Sequence, residues 1–222
     1  MISNAYSKIC AAIEIEQVQM SITLRRGVAK DAEQCARFAT MRSKPLRNST
    51  TSPLTSLLQK LPSMYYPAYS NTPTIYGVVA ELDGRIVGSN FIDERSIIAG
   101  IGPITVEPEV QNRSVGRELM QHVMARAAQQ RFPGYRLVQA AYHNRSLSLY
   151  AKLGFVAREP LSAMQGPRLA VQIPGYSVRP ATTSDLGACN QVCMKVHGHD
   201  REGELIDSIK QGTATVVEHG DA

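Results

Sequence analysis

The run from Ile104 to Met120 constrains this 222-residue chain more than any other. Ile104, Thr105 and Val106 form a β-branched stretch suited to a strand. Polar and turn-forming residues follow, and Gly116 then opens a segment in which Leu119, Met120, Val123, Met124 and Ala127 recur at helical spacing. A strand that ends in a tight loop and turns into a helix places that helix's unpaired N–H groups, carrying about half a positive charge, beside the strand end. Such a corner is an anion site, and a pyrophosphate fits it. The phosphate loop ending in Gly-Lys-Ser/Thr is absent, which argues against nucleotide hydrolysis, and so is a Gly-x-Gly-x-x-Gly dinucleotide fingerprint. A single-glycine turn of this kind is also common as plain architecture, so a second signal is needed.

That signal lies downstream. Arg136 to Tyr142 reads as a strand, followed by Asn144-Arg145-Ser146-Leu147-Ser148-Leu149-Tyr150-Ala151-Lys152-Leu153-Gly154-Phe155. Asn144 suits an N-cap and Gly154 a helix stop. Leu147, Tyr150 and Leu153 share one face. Taken together, Gln111-Asn112-Arg113-Ser114-Val115-Gly116 and this second segment resemble the two signatures of the GNAT superfamily of N-acetyltransferases. The first signature is Gln or Arg, two variable residues, Gly, one variable residue, then Gly or Ala. The second is an asparagine, a tyrosine six residues on, then Lys-x-Gly-Phe. Ser114 replaces the first glycine; serine is small enough for close approach to a pyrophosphate, but a positive φ there would be strained.

The resemblance spans residues 22–173. It implies an α/β (mixed α+β) fold with a central mixed, mostly antiparallel sheet flanked by helices. Acetyl-CoA is the implied co-substrate and an amine the acceptor. The backbone of Ile104, Thr105 and Val106 would pair with pantetheine. The loop Gln111, Asn112, Arg113, Ser114, Val115, Gly116 and Arg117 would hold the pyrophosphate, and Asn144 would bond the pantetheine arm. Tyr150 would protonate the departing thiolate, set against its plainer role of packing a helix on the sheet. Asp93, Glu94 and Glu107 lie within reach of the strand ends as bases, and Glu94 is the choice among them. A non-catalytic acyl-CoA sensor or scaffold on the same fold is the alternative.

The remaining expectations concern organisation. Asp31 with Gln34 resembles a capping box, and Ser52-Pro53 a second helix start. Leu82-Asp83-Gly84 reads as a hairpin turn, and Gly102-Pro103 interrupts a strand over residues 97–106. A final strand after Phe155 would complete the domain. Tyr65, Tyr66 and Tyr69 can line the acceptor's entry or cover the core. Pro174-Gly175 separates residues 22–173 from residues 174–222, while residues 1–21 carry no motif. Leu24-Arg25-Arg26-Gly27, then Asp31 and Cys35, find an echo in Val178-Arg179-Pro180-Ala181, then Asp185 and Cys189. Val78 to Asp83 finds one in Thr215 to Gly220. The third stretch thus reads as a partial second repeat.

Four cysteines without framework spacing suit free thiols in a cytoplasmic protein. Cys189, Cys193, His197 and His199 fit a helix face better than a metal site. A net charge of +5 without clustered basic residues argues against nucleic acid as a partner. No apolar run reaches the roughly 20 residues of a membrane span. Self-association stays open.

Overall fold

Asp83 and Gly84 both take left-handed backbone angles, φ 52° and 74°. That is the geometry of a two-residue hairpin turn whose twist matches its strands. It joins β2 (Ile75–Leu82) to β3 (Arg85–Asp93), as the sequence predicted. The structure is a computed structural model and describes residues 21–35, 72–162, 167 and 171–220. The expected helix at Ser52-Pro53 and the three tyrosines Tyr65, Tyr66 and Tyr69 lie outside those residues.

Around the hairpin, β1 (Ile22–Arg26), β2, β3, β4 (Ala99–Ile101) and β6 (Tyr135–Arg136) form a sheet in that order, and β5 (Thr105–Val106) joins it by pairing with β3. Every pairing is antiparallel except β4 with β6. The parallel pair is bridged by α1 (Val115–Gln129), because parallel neighbours need a long crossover. The second helix of the domain is α2 (Asn144–Lys152). The result is the mixed, mostly antiparallel sheet flanked by helices that the motifs implied.

Both faces of the central strands are covered, which is why β2 and β3 read as near-continuous apolar runs. Val78, Ala80, Leu82, Val87 and Ile92 turn to one face and pack with Val115, Leu119, Met120, Val123 and Ala127 of α1. Ile75, Val79, Ile86 and Phe91 turn to the other and pack with Cys35. Helix α1 ends in a Schellman motif: Phe132 N–H donates to Ala127 C=O and Arg131 N–H to Ala128 C=O, with Arg131 at φ 59°.

Some elements differ from expectation. Asp31 does not cap a helix with its own first turn; it reaches back to accept from the Val28 N–H at 2.9 Å while Arg25 grips it at 2.7 and 3.0 Å. The strand expected over residues 136–142 keeps only Tyr135–Arg136, because β4 is the partner it has and that pairing spans two positions. The strand expected after Phe155 is not formed over 155–162 or 171–173.

The C-terminal stretch builds β7 (Tyr176–Pro180), α3 (Leu186–His197), α4 (Glu202–Lys210) and β8 (Thr215–His219), with β7 and β8 antiparallel. Its opening matches that of the main domain bond for bond. Arg25 donates to Asp31 and Glu81, and Arg179 to Asp185 and Glu218. Val28 N–H and Thr182 N–H donate to the Asp31 and Asp185 carboxylates. Gly27 N–H donates to Gly77 C=O, and Ala181 N–H to Ala214 C=O. In β1–β2 Thr23 faces Glu81; in β7–β8 Ser177 faces Glu218.

Candidate functional site

The site begins with a break in the sheet. β3 pairs with β4 at Ile92↔Ile101 and with β5 at Ser89↔Thr105, and the register shifts by one residue between them. The extra residue falls within Gly102–Ile104, so the strand bulges where Gly102-Pro103 was expected to interrupt it. Gly102 has φ 126°, a region that L side chains rarely enter. β4 still pairs with β6, at Ala99↔Tyr135 and Gly100↔Arg136, but beyond the bulge β5 has no strand partner on that side among the described residues. The sheet therefore splits between β5 and the segment after β6.

Backbone directions at the split follow from one bond. Glu107 N–H donates to Val87 C=O at 2.8 Å, so Glu107 and Thr105 turn their backbone groups to β3. Strand alternation then turns those of Val106 to the open side. The Val106 carbonyl is held there by the Gln111 side-chain amide at 3.2 Å. The other end of that amide accepts from Arg145 at the start of α2. Gln111 thus ties strand end, loop and second helix together.

The loop itself is built from left-handed turns: Asn112 has φ 72° and Ser114 φ 64°. The first bond of α1 runs from Glu118 N–H to Ser114 C=O, which leaves the amides of Val115, Gly116 and Arg117 at the helix end without helical acceptors. Arg113 and Arg117 are exposed beside them. Gly116 lies in tight quarters: a Cβ there would stand 3.5 Å from Leu149 Cδ2 and 3.7 Å from Val106 Cγ2. These are ordinary contacts, so alanine also fits, and they show that β5, the loop and α2 meet at this residue.

Tyr150 of α2 is buried in the main core, with its ring centroid 5.9 Å from that of Phe155. The cap of α2 is one residue earlier than expected: His143 Nδ1 accepts from Ser146 N–H, and Asn144 is the first helical residue. Gly154, at φ 91°, stops the helix as expected.

Each candidate base is held by an arginine. Arg126 donates to both oxygens of Glu94, at 2.5 and 2.8 Å. Arg85 does the same to Glu107, and Arg95 to Asp93. Glu94's partner, Arg126, lies on α1 ten residues beyond Gly116, or about 15 Å along the helix from the loop. One cluster was not foreseen: Tyr76 Oη and His122 Nε2 hydrogen-bond at 2.9 Å, with Arg126 over the Tyr76 ring. Burial, and then the Arg126 charge, push the His122 imidazolium below its usual range. These two residues are far apart in sequence and carry no motif. Among the described residues no cluster of three or more His, Cys, Asp or Glu could hold a metal, and no helix is long and apolar enough to cross a membrane.

A split sheet with a helix N-terminus at its mouth is the layout that the two motifs implied. Residues 73–157 match the family described as Acetyltransferase (GNAT) domain, the superfamily whose two signatures the loop and the second helix resemble. No curated protein matches it in sequence. Solved structures share the fold at low identity. A transcriptional regulator from Bacillus halodurans C-125 aligns with a TM-score of 0.52 and 16% identity over 66% of this chain and 100% of that one. A ribosomal-protein-alanine N-acetyltransferase from Brucella melitensis biovar Abortus 2308 aligns at 0.50 and 12%, over 66% and 100%. An aminoglycoside N-acetyltransferase in complex with CoA aligns at 0.51 and 12%, over 66% and 95%.

Proposed function

We propose that this chain transfers the acetyl group of acetyl-CoA to a primary amine by direct attack within a ternary complex. The observation that carries this reading is the meeting at Gly116 of the split strand, the free amides of α1 and the tyrosine-bearing helix α2. The pyrophosphate rests on the amides of Val115, Gly116 and Arg117, with Arg113 and Arg117 adding charge. The pantetheine arm lies along the open side of β5, and the Val106 N–H faces it. Asn144, at the start of α2, bonds the arm.

The amine lone pair attacks the thioester carbonyl carbon, and collapse of the tetrahedral intermediate breaks the C–S bond. The electron pair leaves on sulfur, which takes a proton from the Tyr150 hydroxyl, and the proton that the attacking nitrogen sheds on becoming an amide returns through solvent to the tyrosine. Glu94 has both oxygens engaged by Arg126, so taking a proton there would break that pair. The ammonium proton, held with a pKa near 10, therefore passes to solvent in this scheme. Residues 22–173 form the transferase domain. We assign residues 174–222 to the opening part of a second repeat, on the strength of the matching Arg–Asp–Glu clamps.

Two substitutions test the scheme. Tyr150→Phe should lower kcat by about 100-fold while CoA affinity stays within about twofold. Gly116→Glu should weaken CoA binding at least about tenfold, because a carboxylate would face the diphosphate. Release of CoA thiol from acetyl-CoA with a panel of amines measures the first, and calorimetry the second. Full turnover in the phenylalanine variant would remove Tyr150 from the mechanism. Tight CoA binding with no thiol release for any amine would favour the sensor reading.

A further inference from the structure

Gln139 stands on the segment that leaves the sheet after β6, three residues beyond the last pairing, Gly100↔Arg136. Continuing that parallel register sets it level with Pro103, inside the bulge where β5 and this segment part. Leu137, two residues before it, packs against the main core. The Gln139 Oε1 atom is buried and, among the described residues, has no hydrogen-bond partner. Folded proteins leave few buried polar atoms in that condition, and those they leave call for a reason.

We propose that Gln139 is a co-substrate-binding residue whose side-chain oxygen accepts a hydrogen bond from an amide N–H of the pantetheine arm. This rests on the acetyl-CoA reading above. The donor follows from chemistry: the thioester and acetyl group have no N–H or O–H, whereas the arm carries two amides. An acceptor amine is the weaker fit, because it must reach the carbonyl as a neutral nucleophile with its lone pair directed at the thioester. Binding of the arm then pairs an oxygen that has no partner among the described residues, so ordering of the arm and relief of the buried oxygen occur together.

The test is Gln139→Met, which keeps length and volume and removes the acceptor. Two ligands are titrated by calorimetry, CoA and adenosine 3′,5′-bisphosphate, the second of which keeps the nucleotide end and lacks the arm. The Tm of the unliganded protein is measured alongside. The expected result is an unliganded Tm equal to or above that of the parent, a Kd for CoA raised about five- to tenfold, and an unchanged Kd for the bisphosphate. A lower unliganded Tm would mean that the amide is satisfied within the protein, and would overturn the proposal. So would equal weakening of both ligands. A parent that binds CoA and a variant that binds it equally well would overturn the role of Gln139 alone. A parent that binds neither ligand would overturn the acetyl-CoA reading and this inference with it.

Discussion

Ser114 shows how a single residue carries both a motif and its cost. It occupies the position where the family pattern has glycine, and its backbone sits at φ 64°. A left-handed L residue costs about 1–2 kcal/mol, while glycine gives back about 0.4–1 kcal/mol through the freedom it adds to the unfolded chain. Ser114 also makes no side-chain capping bond to α1, so its hydroxyl offers the helix no offset. Ser114→Gly should therefore raise unfolding free energy by up to about 1 kcal/mol. Ser114→Ala should not, since the strained angle remains. Urea denaturation of the three proteins decides it, and a glycine variant less stable than the parent would mean that the hydroxyl has a role the loop geometry does not show. The strain was readable in advance, because the motif says where glycine belongs. The Gln111 bridge between Val106 and Arg145 was not. Both residues stand in recognisable motifs, but nothing in their spacing says that 34 residues of chain bring them side by side.

Elements were legible to the degree that local chemistry decides them. The Asp83-Gly84 hairpin, the bulge at Gly102 and the stop at Gly154 each depend on a residue that favours or permits unusual backbone angles, and each formed where expected. The strand that became β6 was over-extended because its length depends on partners, which the β-propensity of Leu137 and Val138 does not report. Gly88 illustrates the same limit. In the sequence it is an interruption in β3; in the fold it lets β3, β5 and α1 close together. A Cβ there would come 2.9 Å from the Thr105 carbonyl oxygen, 3.0 Å from Leu119 Cδ1 and 3.2 Å from Val115 Cγ1. The first is backbone and cannot rotate away. Gly88→Ala should cost about 1–3 kcal/mol by overpacking and should weaken CoA binding as well, because β5 and the first turn of α1 both have to shift. Gly84→Ala is the contrast: its Cβ would meet nothing within 4 Å, so its cost comes from the φ of 74° alone and should leave CoA affinity untouched. Equal CoA affinity in the two variants would separate the split sheet from binding.

At the scale of the whole molecule, the C-terminal unit, whose Arg–Asp–Glu clamp matches that of the main domain's opening, docks on that domain. The contact is polar and close. Arg95 donates to Asp207 at 2.7 Å, Ser96 Oγ to Glu204 at 2.9 Å, and Arg136 of β6 to Glu204 at 3.2 Å. Gly203 makes room for it, since a Cβ there would lie 2.8 Å from the Arg95 carbonyl oxygen. Burial acts to raise the Glu204 pKa, but the bonds from Arg201 and Ser96 outweigh it and hold the carboxyl below its ordinary range. The sign follows from that direction. A depressed carboxylate contributes stability that is complete above its unfolded value, about 4.3, and is lost as pH falls through the lower folded value. At neutral pH the contact is therefore at full strength. Acid should loosen α4 from the main domain before the core between the sheet and α1 opens, since that core is apolar and the carboxylates of the main domain stand at its margins. Hydrogen exchange over 202–210 measures this docking, with amides of α1 as the internal reference. Gly203→Val should speed exchange in α4 at pH 7 and leave α1 unchanged, because the added side chain meets backbone on the other side. Glu204→Gln should do the same and also reduce the acid-dependent part of the opening, leaving what Asp207 and Asp200 contribute. If α4 in the valine variant exchanged as slowly as in the parent, the Arg95 contact would not be what holds the two units together.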